Sequence, residues 1–248
     1  MCIRDSPTAA ENSRHHRRMV ECSSAADRLW LKTGRIIMAR KTYESREIDV
    51  SFDGELCIHA RECVTGLPGV FEANAPGPWI HPDQASVERI VAVAQNCPSG
   101  AIAYKRKDGG PQEAPPEVNT VRIKENGPLA FHAELSIDGE PTGLRATLCR
   151  CGASKNKPYC DGSHTEAGFE ASGEPAGKDL STLDRRNGPL DIRPAKDGPL
   201  LVNGPIEIMS GTGRAVERTV TSALCRCGAS ENKPYCDGTH TKVGFTTD

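Results

Sequence analysis

The chain has 248 residues and a formal net charge of −2, so nothing in its charge argues for a nucleic-acid partner. Only 37% of its residues are hydrophobic and 4% aromatic, which is thin for one large core and suits several small units. No apolar run approaches the length of a membrane span, and no membrane role is expected.

Residues 1–37 are rich in Arg, His and Ser, with no periodic apolar pattern and no hydrophobic stretch for secretion. Asp5, Glu11, Glu21 and Asp27 do not suit an organelle transit peptide. The expectation is a disordered or non-native leader, with translation proper beginning near Met38.

Residues 38–108 read as a small domain. Ile48, Val50 and Phe52 alternate with Glu47, Asp49 and Ser51, the pattern of a half-buried strand ending at the Asp53-Gly54 turn. Pro82-Asp83 is expected to open a helix with Val87, Ile90, Val91 and Ala94 on its apolar face. Residues 101–104 read as a strand able to pair with 47–52. This order puts Cys57 and Cys63 on a loop and Cys97 at the helix end, converging at one pole.

Those cysteines lie in Cys57-Ile-His59-Ala60-Arg-Glu-Cys63 and in Cys97-Pro98-Ser-Gly. The segments, together with Pro78-Trp79-Ile80, resemble the divergent single-cluster ferredoxin family. Ala60 stands where the C-x2-C-x2-C pattern of bacterial ferredoxins has its middle cysteine. The resemblance implies one iron–sulfur cluster held by Cys57, Cys63 and Cys97. Three thiolates suffice for a [3Fe–4S] centre; a [4Fe–4S] centre needs a fourth ligand, for which His59 is the nearest candidate.

Residues 109–120 are polar and rich in Gly and Pro, as in a linker. Beyond them the chain repeats. Asn126-Gly-Pro-Leu129 and Asp197-Gly-Pro-Leu200 each precede strand-like residues, 130–137 and 201–209. Gly168-Phe169 and Gly244-Phe245 close the two copies, here taken as domains 121–175 and 176–248.

Each copy carries one cassette. The first is Cys149-Arg-Cys151-Gly-Ala-Ser-Lys-Asn-Lys-Pro158-Tyr-Cys160-Asp161-Gly162-Ser163-His164; the second is Cys225-Arg-Cys227-Gly-Ala-Ser-Glu-Asn-Lys-Pro234-Tyr-Cys236-Asp237-Gly238-Thr239-His240. Three thiolates and an imidazole make a first shell for one metal centre. A segment so short and polar has no core of its own, so bound metal supplies much of its local stability. Structural zinc favours C-x2-4-C pairs; the C-x-C spacing here suits one iron of a two-iron cluster, with the third Cys and the His on the other iron. Asp161 and Asp237 are expected to cap a short helix whose N-terminus faces the cluster, and Gly162 and Gly238 to let backbone approach it.

Both cassettes resemble the CDGSH iron–sulfur domain of mitoNEET-type proteins, every motif position being filled twice. The resemblance implies a [2Fe–2S] cluster on Cys149, Cys151, Cys160 and His164, and another on Cys225, Cys227, Cys236 and His240. It also implies that the two copies form a pseudo-twofold pair inside one chain, so that a monomer suffices. The expected fold class is α+β: a ferredoxin-like domain followed by two β-rich, loop-rich CDGSH units.

Nine of the eleven cysteines are thus assigned as ligands, leaving Cys2 and Cys22. Thiolate ligands need a reducing compartment, which places the protein in the cytoplasm. No Ser/His/Asp set or Gly-rich phosphate loop is present, so no enzyme activity is expected. The leading expectation is an electron-transfer protein serving a reductase or oxygenase. The alternatives are storage of clusters for delivery to apo iron–sulfur acceptors, redox sensing, or a zinc-stapled interaction module.

Overall fold

The computed structural model describes residues 40–247. The leader, with Cys2 and Cys22, lies outside the described residues. The described residues form one compact unit, mostly β with few helices and with two separate apolar cores.

The N-terminal part is a three-stranded antiparallel sheet in the order β1 (Lys41–Tyr43), β2 (Ile48–Phe52), β3 (Ile102–Arg106). The alternation around Ile48 and Val50 builds β2 as expected, with both side chains buried. β2 pairs with β3 in the register Val50↔Tyr104.

Two helices lie between these strands: α1 (Glu62–Gly66) and α2 (Val87–Gln95). The helix expected from Pro82 begins later. Pro82–Gln84 is a separate 3-10 turn, and Ala85 and Ser86 are extended before α2 starts. α2 buries Val87, Ile90 and Ala94 against Phe71, Ile80 and Val50, while Val91 is only half-buried. This follows from the 100° spacing of helical residues.

The C-terminal part is one continuous sheet: β4 (Thr120–Ile123), β5 (Leu129–Ile137), β6 (Glu140–Leu148), β7 (Pro189–Pro194), β8 (Leu200–Met209) and β9 (Ala215–Leu224). β5 alternates buried and outward residues, and Asp138-Gly139, both at positive φ, make the tight turn into β6. β5 and β6 form one antiparallel hairpin, β8 and β9 the other.

The short strands close the sheet. β4 pairs antiparallel with β5 but parallel with β8, and β7 pairs antiparallel with β8 but parallel with β5. The four strands β4, β5, β7 and β8 therefore run in a ring without a free edge among them. The registers correspond: Val121 faces Ile208 across the first parallel pairing, and Ile192 faces Ile137 across the second. Each copy's first strand thus completes the other copy's sheet. The ring encloses Val121, Phe131, Leu135, Ile192, Val202 and Ile208, all at most 3% exposed.

Candidate iron–sulfur sites

Each cassette begins where a hairpin ends. Cys149 directly follows β6, and the chain loops out and returns so that Cys149 N–H donates to Pro158 O at 2.8 Å and Cys160 N–H donates to Thr147 O at 2.9 Å. The second copy repeats this with Cys225 to Pro234 O at 2.7 Å and Cys236 to Ala223 O at 2.9 Å. Buried serines pin the loops, since Ser154 and Ser230 hydroxyls donate to Tyr159 O and Tyr235 O, each at 2.6 Å.

These clips group the donors in pairs. Cys149 and Cys151 sulfurs are 3.7 Å apart, and Cys160 Sγ lies 3.5 Å from His164 Nδ1. The corresponding separations are 3.7 Å for Cys225–Cys227 and 3.4 Å for Cys236–His240. Backbone N–H groups point at the sulfurs: Ala153 at Cys151 and Gly162 at Cys160, both 3.4 Å, and Ala229 at Cys227, also 3.4 Å. Among the described residues no three Cys, His, Asp or Glu side chains gather as around a single ion. The N–H groups suit anionic sulfur.

Asp161 and Asp237 act differently from expectation. Only four residues, Thr239–Lys242 (α3), are helical at the end of the second motif, and the first motif has turns instead, so neither site has a helix dipole of any length. Each Asp instead staples its own loop. Asp161 accepts from Lys155 N–H at 2.8 Å and Ser163 N–H at 3.0 Å, and Asp237 accepts from Glu231 and Thr239 at the same distances. Those N–H groups hold the Asp237 carboxyl well below the usual carboxylate range. Gly162 and Gly238 have φ of 88° and 84°, so the left-handed backbone itself calls for glycine.

The sulfurs are unevenly poised. The hydrogen bond between Cys149 and Cys151 draws the Cys149 thiol down and pushes Cys151 up, so one proton is shared by the pair. Burial pushes Cys160 up to about 11 and raises Cys225, Cys57 and Cys63. Thiols held up by burial become thiolates only when a cation compensates them, the role a metal fills.

Burial lowers the pKa of His164, which favours the neutral, ligating imidazole; Arg150 acts in the same sense and Asp161 opposes it. A lowered folded value means that the unfolded chain binds the extra proton more readily. Stability contributed by neutral His164 is therefore present above about pH 6.5 and falls away as the pH drops below it. The visible absorbance is expected to bleach faster at about pH 5.5 than at about pH 8. Equal rates would remove the histidine from the ligand set.

The two cassettes meet at their middle cysteines, Cys151 and Cys227 forming an antiparallel β-bridge. A Cβ on Gly152 would stand 2.6 Å from Cys227 O, so only glycine admits this approach.

Sequence reasoning passed over the arginine inside each C-x-C pair. Arg150 is 1% exposed. Its guanidinium donates to the carbonyls of Gly127 (2.9 Å), Lys124 (2.6 Å), Ala171 (3.1 Å) and Ser172 (3.1 Å). Its recurrence as Arg226, which donates to Gly198 O and Ala195 O, was the available signal. Both guanidinium groups lie over a closing phenylalanine, Phe169 and Phe245, at 5.3 and 5.5 Å.

In the N-terminal part, Cys57, Cys63 and Cys97 line one cavity together with Phe52, Ala60 and Pro98. Cys57 is on a loop and Cys97 follows α2, as expected, but Cys63 sits inside α1 rather than on a loop. His59 does not line this cavity. Its backbone is left-handed (φ 54°), and it borders a neighbouring cleft with Glu55, Cys57, Asn156 and Asp161. Ala60 stands in the wall of the cavity that the three cysteines share.

Residues 43–107 match the family described as divergent 4Fe-4S mono-cluster, and residues 116–165 and 197–241 match iron-binding zinc finger CDGSH type. CDGSH iron-sulfur domain-containing protein 1 of Bos taurus is 40% identical over 83 residues, covering 32% of this chain and 74% of that protein. The chain belongs to the CDGSH iron–sulfur family. Ahead of its CDGSH motifs it carries a divergent single-cluster domain similar to Escherichia coli K12 protein YjdI, 39% identical over 67 residues, which are 27% of this chain and 87% of YjdI. This CDGSH protein is accordingly an iron–sulfur protein.

Proposed function

We propose that the chain is an electron-transfer protein carrying two [2Fe–2S] clusters and one [3Fe–4S] or [4Fe–4S] cluster. Cys149, Cys151, Cys160 and His164 would hold one [2Fe–2S] cluster, and Cys225, Cys227, Cys236 and His240 the other. Cys57, Cys63 and Cys97 would hold the third. The observation that carries this reading is the twofold occurrence of the same geometry, a close sulfur pair beside a sulfur–imidazole pair with backbone donors aimed at the sulfurs. Bound there, such clusters accept and release single electrons, at a potential raised where neutral imidazole replaces thiolate.

The reciprocal parallel pairings and the Cys151–Cys227 bridge support a pseudo-twofold CDGSH pair within one chain. The sheet with α1 and α2 supports a ferredoxin-like α+β unit in front of it. No helix among the described residues is long and apolar enough to cross a membrane. The proposed setting is the cytoplasm, with a reductase or oxygenase as redox partner and no catalysis by the chain itself.

Iron and acid-labile sulfide analysis of anaerobically purified protein, combined with EPR, tests this. About seven or eight irons per chain are expected. A signal in the oxidised protein marks the three-iron form, and one appearing only on reduction marks the four-iron form. Colourless protein holding zinc alone would make the chain a zinc-stapled interaction module.

One observation favours a second reading, cluster storage and delivery. His164 and His240 are only half-buried, as are Cys151, Cys227 and Cys236, so solvent reaches the ligand most easily displaced by a proton. Mixing holo-protein with an apo-ferredoxin separates the two. Cluster transfer within minutes means delivery; electron transfer without loss of iron means a carrier.

A further inference from the structure

Arg145 lies on β6, in the first CDGSH hairpin, yet every acceptor of its guanidinium lies outside that hairpin. Nη1 donates to Cys97 O at 2.8 Å and to Ala94 O. Nη2 donates to Ile102 O at 3.2 Å and to Glu113 Oε2 at 2.9 Å. Ala94 is in the last turn of α2, so a cation meets the negative end of that helix where it delivers Cys97. The main chain is close as well: a Cβ on Gly100 would stand 2.8 Å from Arg145 O.

The contact is buried. Arg145 is 7% exposed, and its Nε and Glu113 Oε1 lack a hydrogen-bond partner among the described residues. Carrying an ion pair and two unsatisfied polar atoms out of water is costly, and an apolar contact would dock two domains with less penalty.

The second hairpin supplies an internal comparison. Arg145 lies opposite His132 as Thr221 lies opposite Asn203, and both hairpins then run on to Leu148 and Leu224 in the same register with Leu129 and Leu200. Thr221 is exposed. The CDGSH hairpin therefore folds without an arginine at this position, and Arg145 answers to the N-terminal unit.

We propose that Arg145 is a positioning residue for the N-terminal iron–sulfur site: it fixes the Cys97 main chain and places a positive charge beside that site, with Glu113 as its counter-charge. The inference rests on reading Cys57, Cys63 and Cys97 as that site's ligands. It makes the N-terminal centre dependent on the CDGSH hairpin, while the two CDGSH centres do not depend on Arg145.

The test uses the full chain, purified anaerobically, with three variants. Arg145→Met is expected to lower the potential of the N-terminal centre, alter its EPR line shape and speed its loss of iron to a chelator several-fold. The CDGSH visible circular dichroism should stay as in the unaltered protein. Arg145→Lys, which keeps the charge, should restore most of the potential. Glu113→Gln removes a negative charge and should move the potential the other way. This variant and Arg145→Lys also carry the test if Arg145→Met fails to fold.

Unchanged potential and line shape in Arg145→Met overturn the proposal, as does Glu113→Gln moving the potential downward. Loss of all three centres together in Arg145→Lys overturns it too, since that is the mark of a residue serving only the fold. Absence of iron and sulfide from the unaltered chain is a separate result, which overturns the functional reading and this inference with it.

Discussion

Gly152→Ala is expected to abolish both CDGSH centres and to lower stability by about 3–5 kcal/mol. The new Cβ would stand 2.6 Å from Cys227 O and 3.0 Å from its carbonyl carbon. These are backbone atoms, which cannot turn aside as a flexible side chain would. The residue is also left-handed, at φ 83°. Because the bridge joins Cys151 to Cys227, displacing it moves a candidate ligand in each cassette. Gly139→Ala is the control, with similar φ of 81° but no atom within 4 Å of the added carbon. There only the backbone preference is lost, about 1 kcal/mol. Melting and visible absorbance, measured side by side, decide the matter. If the two variants melt together and both keep their colour, the cassettes do not meet as described.

Arg150→Ala is expected to cost about 3–5 kcal/mol, because it strips four main-chain carbonyls of a charged donor in the interior. Those carbonyls belong to the turn before β5 and to the segment after the first motif, so the loop bearing His164 should loosen and its centre lose iron first. Lysine should rescue poorly, since one ammonium group cannot span four acceptors. Arg226→Ala should be milder, because Arg226 donates to only two carbonyls among the described residues. Denaturant unfolding and the rate of iron loss to a chelator measure both effects. Equal losses for the two arginines would mean that the extra acceptors of Arg150 contribute nothing.

Local signals were legible where one face of an element is buried. Ile48 and Val50 announced β2, because alternation with solvent-facing residues survives in the sequence, and residues 130–137 read as the strand that β5 forms. The donor pairs were legible because ligand spacing is written in the motif itself. Pro82 misled about the start of α2, since a proline suits a 3-10 turn as well as a helix start. Cys63 was expected on a loop; α1 forms there instead, five residues being too few to show a helical period.

What joins distant parts of the chain was not legible. β4 is only four residues long, and nothing in it names β8 as its parallel neighbour. Arg145 and Arg150 were passed over, because no local pattern announces that an arginine will be buried. The segment read as a free linker is tied down by Glu113, which meets Arg145, and by Asn119, whose amide donates to Gly188 O and Pro205 O at 2.9 Å each. Contacts of this kind depend on the finished fold and leave no periodicity behind.

The ring of strands bears on how the protein is made. While the ribosome has released only the first motif, β4 and β5 each lack a neighbour that is still to be synthesised, β8 for one and β7 for the other. Cys151 likewise waits for Cys227. A nascent chain at that stage exposes bare strand edges, the surfaces on which polypeptides aggregate. Maturation of the first half is therefore tied to arrival of the second, and premature termination between the motifs should yield insoluble, iron-poor material rather than a smaller working protein.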